Sequence, residues 1–258
     1  MDLSRVMDLY EKWGIKNIEL GSCHSYLENV EGLLNRYSDK QFLIHNYFPP
    51  AKEPFTMNLA AQDEKLRIRS IAVCKRAIDL CSLLNCPLYS FHPGFRVYDT
   101  LEENFNLAQP IVPYEEAYEA FSRSLEEILS FARERGIGIA VENLEHKNDA
   151  YMMTRPEEFS RLQENFPELG VLLDLGHLKI ASRRLGFKIE DFIYCVKDRV
   201  SGIHLHENDG LSDQHLDHLS GETLSYLDQI ESERITLECR NLSMEQIILN
   251  LRALDRIY

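Results

Sequence analysis

Short apolar runs that stop at a histidine or a carboxylate recur along this chain of 258 residues, and they constrain its fold more than any other feature. Phe42 to Ile44 runs into His45, Leu88 to Phe91 into His92, and Ile137 to Val141 into Glu142. Val171 to Leu173 runs into Asp174, with His177 just beyond across Leu175-Gly176, and Ile235 to Leu237 runs into Glu238. Ile203-His204 and Asp213-Gln214-His215 complete the series. A short run rich in β-branched residues reads as a buried parallel strand. A titratable residue at the C-terminal end of such a strand stands where α/β barrels carry their chemistry. The series holds nine candidates, four carboxylates and five imidazoles. Buried together they would be costly without partners, and cations are the partners that suit such a set.

Strands and helices alternate throughout. The patterning predicts strands over 17–20, 42–45, 88–92, 137–142, 171–174, 202–206 and 235–238. Helices are predicted over 2–13, 27–37, 60–84, 114–135, 155–164, 177–184, 190–196 and 219–230, with a last one capped by Ser243. Thr154 is the expected cap of the helix over 155–164, with Pro156 in its first turn. Long loops follow the strands that end in His45, His92 and His204, and loops of that length are usually functional. A single domain over 1–258 matches one α/β barrel of about 250 residues. The strand count is seven and the chain opens on a helix, so either the barrel has seven strands or the first of eight is missing. A gap beside Asn17 to Leu20 would leave a sheet edge able to pair, so a homodimer is an expectation.

Composition excludes several classes. No apolar run approaches the ~18 residues of a membrane span, and the N-terminal residues lack a signal-peptide profile. The six cysteines (23, 74, 81, 86, 195 and 239) show no C-x-x-C spacing and read as reduced thiols of a cytoplasmic protein. The net charge of −14 disfavours broad attraction to DNA. It leaves room for a local basic patch at Arg183, Arg184 and Lys188.

At these residues the chain resembles the xylose-isomerase-like barrel superfamily, and within it the endonuclease IV (AP endonuclease family 2) pattern. The resemblance runs from Asn17 to Glu238, with one ligand motif per strand in family order. It implies a (β/α)8 TIM barrel whose first strand is absent from this sequence. It also implies two or three divalent transition-metal ions, usually zinc, held by His45, His92, Glu142, Asp174, His177, His204, Asp213, His215 and Glu238. Manganese, iron and cobalt suit the same nitrogen and oxygen donors. Asn208-Asp209-Gly210 through Leu216 and the His92-Pro93-Gly94 turn also match. The segment after Leu216 is longer than the family ending, which makes His218 a rival of His215, and no DNA-penetrating loop rich in arginine and aromatics is evident.

Two readings of the chemistry follow. In the first, a multinuclear centre hydrolyses a phosphoester, with Glu142 bridging and a small phosphorylated substrate or DNA as partner. In the second, Glu142, Asp174, His204 and Glu238 hold one metal in a sugar or sugar-phosphate isomerase or epimerase, and Glu142 and Glu238 move the proton as acid and base. That reading leaves five of the nine without a role, so the hydrolase is preferred. Tyr47, Arg96, His206 and Arg240 lie beside ligands and are expected to touch substrate. His206 is two residues from His204 and points the same way, so it could instead support a ligand.

Overall fold

The computed structural model describes residues 2–22, 24–98, 111–217 and 219–255. They divide into two compact units, residues 1–141 with 148–152 and residues 142–147 with 153–258.

The first unit opens on α1 (Leu3–Lys12), and four strands follow: β1 (Asn17–Leu20), β2 (Gln41–His45), β3 (Leu88–Phe91) and β4 (Gly138–Glu142), the last ending at the division. Between them lie α2 (Val30–Leu34) with a short 3-10 turn, α3 (Glu64–Leu84) and α4 (Tyr114–Arg133). Each successive strand pair is parallel, and register sets His45 beside Ser90. Ile44, Tyr89, Phe91, Ile78 and Phe121 are fully buried, as expected of strands covered by amphipathic helices. α3 starts four residues later than its periodicity predicts. Asp63 explains this, because its Oδ1 accepts from the Lys65 N–H at 2.9 Å and caps the helix there. The helix over 27–37 is likewise shorter, and its last turn is 3-10.

The second unit holds β5 (Gly170–Asp174), β6 (Val200–Leu205) and β7 (Ile235–Leu237), paired in parallel. Its helices are α5 (Pro156–Asn165), α6 (Leu175–Leu185), α7 (Ile189–Val196), α8 (Gly221–Leu227) and α9 (Met244–Leu254). α5 begins at Pro156, with the Thr154 and Arg155 N–H groups both donating to Glu158 Oε2. The cap is therefore one residue later than expected, and the Glu158 side chain does the capping. Ser243 caps α9 as the sequence predicts. Leu172, Leu173, Ile203, Phe159 and Phe192 form the buried interior, with the two phenylalanine rings edge to face at 5.2 Å.

Seven strands are present among the described residues, and the first element is a helix. No described helix is long and apolar enough to cross a membrane. Cys74, Cys81, Cys86, Cys195 and Cys239 are free thiols, and Cys23 lies outside the described residues.

Candidate metal centre

Parallel pairing sets Asp174 level with His204, so their side chains share a face. Glu142 from the end of β4 and Glu238 just after β7 join them. One ligand atom from each of these four lies within 4.8 Å of every other. His204 Nδ1 is 3.1 Å from Glu238 Oε2, 3.6 Å from Glu142 Oε1 and 3.8 Å from Asp174 Oδ2. Glu142, Asp174 and His204 are fully buried, whereas Glu238 is about a third exposed.

A second group stands in the same unit. His177 in the first turn of α6, His206 just past β6, and Asp213 and His215 in the loop that follows also keep their ligand atoms within 4.8 Å. His215 Nε2 is 2.7 Å from Asp213 Oδ2, and the His206 and His215 rings stack with centroids 4.1 Å apart. The loop returns on itself through paired backbone bonds between Glu207 and Leu216, at 2.9 and 2.8 Å. Its far turn is shaped by Asp209, whose carboxylate accepts the Leu211 and Ser212 N–H groups. Glu207, buried at the loop's root, accepts from Lys179 at 2.7 Å and from the Ser220 and Thr223 hydroxyls.

Backbone carbonyls fix two imidazoles. His177 Nδ1 meets Asn143 O at 3.1 Å, and His215 Nδ1 meets Glu238 O at 2.6 Å. A carbonyl only accepts, so Nδ1 carries a proton in each ring, and Nε2, turned toward Asp213, is the nitrogen from which a metal would displace a proton. Asn143 also holds the end of β5, accepting from Asp174 N at 2.8 Å and donating to Asp174 O at 2.9 Å. The roles of this residue and of Glu145, whose carboxylate lies 3.7 Å from His177 Nε2, were not expected from the sequence. The Glu142-Asn143-Leu144-Glu145 string held both, but polar residues after a strand ordinarily mark a solvated loop.

The electrostatics are dominated by close opposite charges. Burial pushes the Asp174 carboxyl up, but His177 and His206 outweigh it and hold the group at about 2. Burial likewise raises Asp213, and the hydrogen bonds of His177 and His215 bring it well below the usual carboxylate range. Burial pulls His177 and His206 down, and the facing carboxylates, Asp174 foremost, lift both above the ordinary imidazole value. The pocket therefore stabilises positive charge. Asp213 Oδ1 and Glu238 Oε2 are shielded from solvent without a hydrogen-bond partner among the described residues. Shielded carboxylate oxygens beside imidazole nitrogens fit divalent transition metals.

The other predicted residues are placed as follows. In the first unit His45 ends β2 with Nδ1 2.9 Å from Ser90 Oγ, and its ring centroid lies 5.3 Å from that of His92. The His92-Pro93-Gly94 turn is held by Asn58, whose Oδ1 accepts from the Phe95 N–H. Gly94 has φ +105°, and a Cβ there would come within 2.3 Å of Asn58 Oδ1, so only glycine fits. The Tyr47 hydroxyl accepts from Met57 N at 3.0 Å, and burial raises its pKa to about 12. Arg96 donates to the carbonyls of Val112 and Asp149, both at 3.0 Å. In the second unit Arg240 is mostly exposed, 3.9 Å from Asp213 Oδ2. Arg183 and Arg184, expected as a basic patch, donate to the carbonyls of Asp209, His146, Lys147 and Leu211 and so brace the loops. His218 lies outside the described residues. The structure thus gathers seven of the nine predicted ligands, plus His206, in the second unit and pairs the other two in the first.

Comparison with known proteins agrees with this architecture. The chain is 27% identical over 221 residues to the uncharacterised protein MJ1614 of Methanocaldococcus jannaschii, a match covering 83% of this chain and 75% of that protein. Among solved structures it is similar to a D-tagatose 3-epimerase-like protein, with a TM-score of 0.75 and 19% identity over 99% of this chain and 93% of that one. It is also similar to endonuclease IV from Thermus thermophilus, with a TM-score of 0.62 and 17% identity over 98% of this chain and 93% of that one. At such identities these structures speak to the fold alone. The profile of the xylose isomerase-like TIM barrel matches residues 8–240, and the chain belongs to that family.

Proposed function

We propose that the protein is a metal-dependent phosphoester hydrolase with at least two divalent ions in its second unit, acting on a small phosphorylated substrate. The observation that carries this reading is the second ligand group. Glu142, Asp174, His204 and Glu238 suffice to hold one ion. His177, Asp213 and His215 then form another set beside them, with two of its rings already fixed to present Nε2. A one-metal isomerase has no use for that set. When bound, paired divalent ions supply Lewis-acid polarisation of a phosphoryl oxygen and a nucleophile from water at neutral pH. The chain's own residues do the rest. Asn143 and the α6 N-terminus hold Asp174 and His177 in place, and Arg240 at the rim offers a cation to a phosphate oxygen. The net charge of −14 favours a small substrate over DNA.

A second reading is a sugar or sugar-phosphate isomerase or epimerase using Glu142 and Glu238 as the acid and base. The observation favouring it is that their four-residue group is complete by itself. The experiment that separates the two is a panel of phosphate monoesters and diesters, abasic-site DNA and ketoses, run with the parent and with His215→Ala. Phosphoester turnover that falls at least ~100-fold in the variant supports the hydrolase. Ketose epimerisation that survives the substitution, with no phosphoester turnover by the parent, sinks it.

A further inference from the structure

His206 stands where the two ligand groups meet. Its Nε2 is 3.2 Å from each Asp174 carboxylate oxygen and 3.7 Å from Asp213 Oδ1. The ring is buried, stacks on His215 and packs against Gly176, where a Cβ would lie 2.1 Å from Cε1. Nδ1 is buried with no hydrogen-bond partner among the described residues. A proton there would be a donor without an acceptor, whereas a proton on Nε2 faces two carboxylate oxygens. Nε2 therefore carries the proton, and a protonated nitrogen donates and does not ligate. Asp174 Oδ1 also accepts the His177 N–H at 2.6 Å, so this carboxylate is held from two directions. Its Oδ2 remains turned toward His204.

We propose that His206 is a positioning residue that couples the two groups: its Nε2–H fixes the Asp174 carboxylate for the first, and its ring, stacked on His215, ties that orientation to the second. The inference rests on the metal-centre reading above, though not on the reaction assigned to it. Ligand-orienting partners of this kind govern metal affinity without touching the metal.

The test is a Co2+ titration of the full chain after stripping with chelator, reading stoichiometry from visible absorption and affinity from chelator competition. Parent, His206→Gln and His206→Leu are compared, because glutamine keeps an N–H near Nε2 and leucine keeps bulk alone. All three should bind the same number of ions, with affinity reduced ~10–100-fold in the leucine variant and within about 3-fold of the parent in the glutamine variant. Parent-like affinity in the leucine variant would reduce His206 to packing and overturn the proposal. Loss of one ion in the glutamine variant would overturn it in favour of direct ligation. If the leucine variant does not fold, His206→Asn, whose amide is too short to reach Asp174, takes its place with the same expectation. A parent that binds no Co2+ refutes the metal centre and this inference together. A parent that binds Co2+ but turns over no phosphoester refutes the hydrolase only, and the His206 comparison still decides this point.

Discussion

The two ligand groups of the second unit are built differently. Glu142, Asp174 and His204 belong to strands, and Glu238 follows one directly. His177 comes from a helix turn, and Asp213 and His215 come from a loop held by Glu207 and its partners. The first group is rich in carboxylates and the second in imidazoles. Parallel pairing fixes the first as part of forming the sheet. The second is in place only when the segment from Glu207 to Leu216 has folded back. A loop of this kind opens locally at lower free-energy cost than a buried strand. The second group should therefore bind metal more weakly, exchange it faster and respond more to distant substitutions.

Four substitutions sharpen or break that contrast. Glu142→Gln removes a buried strand-end carboxylate required in either chemistry, and kcat should fall by about 10³-fold or more. Activity within tenfold of the parent would remove the first group from the reaction. His215→Ala should lower metal content by one ion per chain, checked by elemental analysis, and cut phosphoester turnover ~100-fold while ions of the first group stay bound. Gly176→Ala drives a Cβ into the His206 ring, so metal affinity should drop about tenfold. Overpacking should also lower stability by about 1–3 kcal/mol in denaturant titration. Unchanged affinity would mean that the ring can relax.

The smallest effect concerns the loop's root. Burial raises the Glu207 carboxyl, but Lys179, Thr223 and Ser220 outweigh it and bring it from 4.5 to about 2. A depressed carboxylate contributes stability that is present above its unfolded value and lost as pH falls through its folded one. Glu207→Gln should therefore lower the thermal midpoint at neutral pH by a few degrees, about 1–3 kcal/mol. It should also flatten the loss expected of the parent between pH 4.5 and about 2. Parallel melting curves across that window would remove Glu207 from the loop's support.

Legibility follows the same contrast. The strand ends could be read because an apolar run and its polar terminus are adjacent in sequence, as in Val171 to Asp174. The seven strands fall within two residues of their predicted bounds for that reason. Helix starts were harder, since a cap such as Asp63 overrides the apolar period of 60–84. The carboxylate group of Glu142, Asp174, His204 and Glu238 was legible as the set that one metal would need, but the place of His206 among the imidazoles was not. His204 and His206 share a strand direction, yet one stands in the carboxylate group and the other against the imidazoles. Nothing local distinguishes them, because the difference is made by Gly176 and His215, which lie 30 and 9 positions away. Arg96 and Arg184 show the same limit, since the carbonyls that bind their guanidinium groups come from loops remote in sequence.

The most direct measurement is the number of ions per chain in protein purified without chelator, taken beside its His215→Ala variant. Two or more transition-metal ions in the parent, and one fewer in the variant, is the expected result. At most one tightly bound ion, unchanged by His215→Ala, would contradict a second metal group and leave the four-residue set of a one-metal epimerase.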